Sequence, residues 1–159
     1  MPSKRPRRGE KVLLPAGSLT LTLDSTLRSV EVADRMVRRF CVKAGCTEQQ
    51  QSEISLAVRE SVANAVLHGN ECDAAKKVGL AVEVRDSQLV ISICDEGEGF
   101  DPALLPDPRD PMNLLRAGGR GVFLVNACMD QVTMRRLASS GMEVILVKFL
   151  SKRAEEESQ

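Results

Sequence analysis

The chain has 159 residues, 43% of them hydrophobic and 28% charged, with a formal net charge of zero and an isoelectric point near 6.6. That length suits one well-packed domain and not two, and the balanced charge excludes wholesale binding to a nucleic-acid backbone, which leaves a basic excess. No apolar run approaches the ~20 residues that span a bilayer. Five scattered cysteines (Cys41, Cys46, Cys72, Cys94, Cys128) lack any CxxC pair and are joined by one histidine, so a zinc cage is excluded and free thiols in a reducing cytoplasm are expected.

The start, Met1-Pro-Ser-Lys-Arg-Pro-Arg-Arg8, is basic but has no apolar segment after it, so it reads as a disordered tail over 1–17 and not as a secretory signal. Leu19, Leu21 and Leu23 then alternate with polar residues, the period of a half-buried strand. Asp24-Ser25 suggests a helix cap, followed by helical spacing of Leu27, Val30, Val37 and Phe40 up to Gly45. Thr47 and Gln50 form a capping-box pattern for a second helix running to His68. On its wheel Ile54, Val58, Val62 and Val66 make the core row, and Ser52, Ser55 and Arg59 a solvent face.

Two strand-like runs, Val78–Val84 and Gln88–Cys94, flank Asp86-Ser87 as a hairpin turn. From Asp95 to Arg120 four prolines and repeated aspartates mark a long loop, which in a compact domain is functional or mobile. A short helix opens at Gly119-Arg-Gly121, and strands over Gln131–Leu137 and Glu143–Leu150 follow. A frayed segment, 151–159, ends the chain. Hairpins grouped with helices in this order predict an α+β two-layer sandwich whose mixed, mostly antiparallel sheet is covered on one face by helices.

Three elements carry chemistry. Glu60, Asn64 and His68 stand at i, i+4 and i+8, one stripe of a helix that stops at Gly69-Asn70. An acid and an amide one turn apart can serve a proton and a divalent cation, although spacing alone leaves an ordinary exposed helix face equally open. Asp95-Glu-Gly97-Glu-Gly99-Phe100-Asp101 follows a strand: its glycines allow close backbone approach to a ligand, and the aspartate can accept from an exocyclic amine. Gly118-Gly119-Arg120-Gly121-Val122 opens a helix, where free N–H groups and the dipole favour phosphate, although taken alone a flexible glycine loop is equally open. Lacking a Gly-Lys pair it is not a Walker loop, and Leu124 stands where a dinucleotide fingerprint needs its third glycine.

Together and in this order, the three resemble the N, DxGxG and GxG boxes of the GHKL ATP-binding superfamily. The form Glu-x-x-x-Asn-Ala-x-x-His-Gly and the run Gly121-Val-Phe-Leu-Val-Asn-x-x-Met-Asp130 look most like the bacterial anti-sigma-factor serine/threonine kinases. The resemblance covers residues 18–150 and implies a Bergerat-type kinase domain there. It implies Glu60 as general base and Asn64 as the Mg2+ ligand. It implies Asp95 on the adenine amine, Gly97, Gly99 and Phe100 around adenine, and Gly119, Arg120, Gly121 and Val122 around the triphosphate. The loop from Asp101 to Gly118 would be the lid over ATP, with Arg109, Arg116 and Arg120 as its cations.

The cofactors implied are ATP and Mg2+. The partners implied are a sigma factor, held by the kinase, and a STAS-type anti-anti-sigma protein, phosphorylated by it. No direct nucleic-acid or membrane contact is implied, the location is cytoplasmic, and a homodimer is a family expectation. A non-catalytic ATP-binding switch that sequesters its partner is the alternative. A sensor histidine kinase fits less well, since the one histidine lies inside the first box. One position departs from the family pattern: Gly141 is followed by Met142 where a threonine is frequent, which removes a hydroxyl contact to the nucleotide.

Overall fold

The computed structural model describes residues 17–104 and 119–150. Strand β1 (Ser18–Asp24) leads to helix α1 (Arg28–Ala44), helix α2 (Glu48–Asn64) and a π-helical turn (Ala65–Gly69). Strands β2 (Lys77–Arg85) and β3 (Gln88–Cys94) form a hairpin, a 3-10 turn covers Pro102–Leu104, and α3 (Gly119–Cys128), β4 (Gln131–Arg136) and β5 (Met142–Phe149) complete the described chain. The tails at 1–16 and 151–159, and the lid residues Arg109 and Arg116, lie outside the described residues.

The five strands run in the order β1-β2-β3-β5-β4, and every pairing is antiparallel. Alternation does the work that the sequence predicts: Val78, Leu80 and Val82 on β2, and Leu89, Ile91 and Ile93 on β3, turn one face of the sheet toward the helices. Against it α2 sets Ile54, Val58 and Val62, continued by Val66, all without exposed surface. Burying such a side chain stabilises by roughly 1.5–3 kcal/mol, so this row fixes the rotation of α2 and thereby the direction of its Glu60–Asn64 stripe. α1 and α3 each pack against α2.

Local signals account for most boundaries. Gly45 ends α1 with φ +81°, its N–H donating to the carbonyls of Cys41 and Val42. Thr47 and Gln50 form both bonds of the capping box at the start of α2. Asp86 and Ser87 both take positive φ (49° and 63°), the backbone a two-residue hairpin turn requires. All five cysteines are free thiols, and burial pushes the Cys41 thiol up to about 12.

Three expectations need correction. Leu27, not Asp24-Ser25, occupies the N-cap of α1; the Ser25 hydroxyl instead donates to the Lys76 carbonyl at 2.8 Å and accepts from Asn70. Ser55 and Arg59 do not face solvent together. Ser55 is buried against Asp34 of α1 with an Oγ–Oδ1 bond of 2.6 Å, and Arg59 reaches Asp34 and Glu31. Glu31 and Arg38 of α1 belong to the same seam, Glu31 pairing with Arg59 and Arg38 with Asp34 and Ser55. Finally, α2 is α-helical only to Asn64. The Asn70 N–H bonds the Ala65 carbonyl, five residues back, so the last turn is wider than the wheel assumes.

Candidate functional site

The three boxes meet around one cavity of about 430 Å3, within the ~300–1,000 Å3 common for small-molecule sites. α2 and the π turn contribute Asn64, His68 and Gly69 to its wall, and the loop after β3 contributes Asp95, Gly99 and Phe100. The rest of the lining is mostly apolar, with Ile93, Val122, Val125 and Val144 prominent.

Asp95 anchors one end. It is buried, and its Oδ1 accepts from the N–H groups of Gly97 (2.9 Å) and Met142 (3.2 Å). No donor among the described residues reaches Oδ2, so a carboxylate oxygen remains for a ligand donor at the cavity wall. Three glycines make this packing possible. A Cβ on Gly69 would stand 2.3 Å from Asp95 Oδ2, one on Gly97 2.0 Å from the Gly69 carbonyl oxygen, and one on Gly141 2.1 Å from the Asp95 carbonyl oxygen. Such separations lie far inside contact distance, so no side chain fits at any of the three. The π turn brings Gly69 into this nest, a use of local helix widening found often at functional sites.

Glu60 and Asn64 stand at the other end. Gly121, in the first turn of α3, approaches so closely that its Cβ would be 2.8 Å from Glu60 Oε2 and 3.7 Å from Asn64 Nδ2. Both side chains are half-buried, and neither carries a hydrogen bond or ion pair among the described residues. An acid, a carboxamide and the positive end of a helix thus share one spot, the donor and acceptor set that a metal-bound phosphate calls for.

Among the residues expected at the site, Asn64, Asp95, Gly99, Phe100 and Val122 line the cavity. Gly97 lies behind Asp95, while Glu60 and Gly121 face each other beside the cavity and do not line it. Gly119 begins α3, and the side chain of Arg120 lies outside the described residues. His68, the third member of the helix stripe, is exposed at the cavity wall and makes no side-chain bond among the described residues.

Asn70 closes the first box. Fully buried, it accepts from the Glu96 N–H at 2.8 Å and donates to Ser25 Oγ and the Lys77 carbonyl, tying the first box to the second. The sequence marked Asn70 only as a helix stop. Met142 was marked only as a departure, yet its Sδ accepts from the Phe100 N–H at 3.4 Å and its backbone makes two bonds to Asp95. Met134 carried no signal beyond strand alternation and is also part of the lining.

Comparison with known proteins identifies the family and the fold. The histidine kinase-like ATPase domain matches residues 23–148. A protein named serine-protein kinase RsbW from Staphylococcus epidermidis is 32% identical over 117 residues, covering 69% of this chain and 72% of its own. A protein of the same name from Halalkalibacterium halodurans is 29% identical over 141 residues, 85% of either chain. Among solved structures, the RsbU and RsbW domains of a Mycobacterium tuberculosis protein superpose with a TM-score of 0.65 at 21% identity. That match covers 87% of this chain and 34% of the longer one, and at such identity it speaks for the fold alone.

Proposed function

This chain belongs to the histidine kinase-like ATPase family, a family of ATP users, and from that premise we propose that it is a protein serine/threonine kinase and anti-sigma factor. It sequesters a sigma factor and phosphorylates a STAS-type anti-anti-sigma protein in the cytoplasm. The observation that carries the reading is the approach of Gly121 to Glu60 and Asn64, opposite an Asp95 whose Oδ2 meets no donor among the described residues. One end suits a purine amine and the other a phosphate chain. The names of the relatives, serine-protein kinases, support protein as the acceptor.

In this reading Asp95 Oδ2 accepts from the exocyclic amine of adenine, and the apolar wall of Ile93, Val125 and Val144 covers the ring. The first-turn N–H groups of α3 take phosphate oxygens. The Asn64 carboxamide oxygen would hold Mg2+, whose charge would offset that of the phosphates. Glu60 accepts the proton of the serine hydroxyl as that oxygen bonds phosphorus and the bond to ADP breaks. Everything the chain supplies is placement and charge, which is what phosphoryl transfer mainly needs.

The test is transfer of label from ATP to a STAS-domain protein. Glu60→Ala is expected to cut transfer by about 10²–10⁴-fold, the usual contribution of a general base, with ATP affinity changed by less than about threefold. Unchanged transfer would remove Glu60 from the mechanism. Tight ATP and partner binding by the native chain without any label incorporated would favour the non-catalytic switch.

A further inference from the structure

The second box is held from outside by Arg136 and Ser140, which belong to none of the three boxes. Between β4 and β5 the chain turns through residues 137–141, closed by the Leu137 N–H donating to the Gly141 carbonyl at 2.9 Å. The two flanks of this turn lie over the loop Asp95–Phe100. Arg136 Nη2 donates to the Glu98 carbonyl at 3.1 Å, and the Ser140 hydroxyl donates to the Gly97 carbonyl. The stem of Arg136 also covers Gly99: its Cγ and Nε both lie 3.2 Å from where a Cβ on that residue would stand. Gly99 has φ +77°, so the loop takes a backbone that only glycine adopts freely and that little in its own sequence would hold.

We propose that Arg136 and Ser140 are positioning residues that clasp this loop in the form the purine end of the cavity requires. The inference rests on the ATP-site reading above. Two glycines give the segment wide conformational freedom, and a free loop would have to be ordered anew each time nucleotide bound. Gly97 sits against Asp95 and Gly99 lines the cavity, so fixing the carbonyls of Gly97 and Glu98 fixes both the carboxylate and the wall beside Phe100. Neither clasp residue lines the cavity, and both are exposed, so their role in the hydrophobic core is small. They act through the loop and not on the nucleotide.

Two variants test this beside the native chain: Arg136→Met with Ser140→Ala together, which removes both donors while keeping an apolar stem over Gly99, and Arg136→Lys, which keeps a donor. The readouts are equilibrium binding of Mg-ATP, amide hydrogen exchange over residues 96–101 without nucleotide, and the thermal midpoint. In the double variant, affinity is expected to fall about tenfold, as two lost hydrogen bonds imply. Exchange should quicken over residues 96–101 only, with the midpoint nearly unchanged. Arg136→Lys should recover most of the affinity.

Native affinity and native exchange in the double variant would overturn the clasp. So would faster exchange throughout the sheet with a lowered midpoint, since that marks general loosening. Exchange does not depend on ATP and separates the two readings. A native chain that binds no ATP, while the double variant still exchanges faster over the loop, would refute the nucleotide site and the clasp's service to it, not the contact itself.

Discussion

The two ends of the cavity are built on opposite plans. Around Asp95 nearly every polar atom is already engaged: two backbone N–H groups hold Oδ1, three glycines pack without room for a methyl group, and Asn70 ties the neighbouring Glu96 down. Around Glu60 and Asn64 the side chains are brought close to Gly121 and then left without partners among the described residues. A recognition end gains from being rigid before the ligand arrives, because ordering is then not charged against binding. On the proposed reading the Glu60 end is the reacting one, and a base already hydrogen-bonded would first have to give up that bond to take a proton.

This contrast predicts which substitutions matter and how. The largest effect is expected of Gly97→Ala. Its methyl would meet the Gly69 carbonyl oxygen at 2.0 Å, so the nest must open, lowering stability by about 3 kcal/mol and removing ATP binding. Thermal unfolding and nucleotide titration check it, and an alanine tolerated there would show the nest to be soft. Asp95→Asn comes next. One amide oxygen can still accept from Gly97 and Met142, but the amine now facing the cavity opposes another donor. ATP affinity should fall about 100-fold, with folding little changed.

Met142→Thr tests the family departure. Threonine restores a hydroxyl but loses the sulfur that accepts from Phe100, so a change in ATP affinity of less than about fivefold is expected by titration. The smallest effect is that of a control remote from both ends. Burial alone would raise the Asp34 carboxyl, yet bonds from Ser55, Arg38 and Arg59 outweigh it and hold the group below its usual range. A lowered carboxyl stabilises the fold above its unfolded pKa of about 4, and that gain is lost as pH falls through the folded value. Asp34→Asn should therefore cost about 1 kcal/mol near neutral pH, a difference that shrinks in acid, and should leave ATP affinity as it was. Denaturant unfolding at pH 7 and below pH 4 measures it.

Much of the fold was legible because its signals are local. The Thr47–Gln50 box, the Gly45 stop and the Asp86-Ser87 turn each depend on residues within a few positions, and each is found where the sequence puts it. Ser25 misled because the Lys76 carbonyl, 51 residues on, competes for its hydroxyl. Ser55 misled because a helical wheel distinguishes polar from apolar but cannot know that Asp34 waits on the facing helix. The wheel also assumes one period throughout, and the π turn after Asn64 breaks it.

The sequence by itself determined the element order, the core row of α2, and the three boxes with an acid, an amide, an aspartate and glycines at defined spacings. These are matters of period and of backbone freedom, both written along the chain. Only the tertiary structure decided which groups meet: Gly121 with Glu60, Gly69 with Asp95, Asn70 with Glu96, and Arg136 with the loop before Phe100. Each joins segments far apart in sequence, and their approach depends on how a five-stranded sheet and three helices pack around one core, which no local pattern encodes.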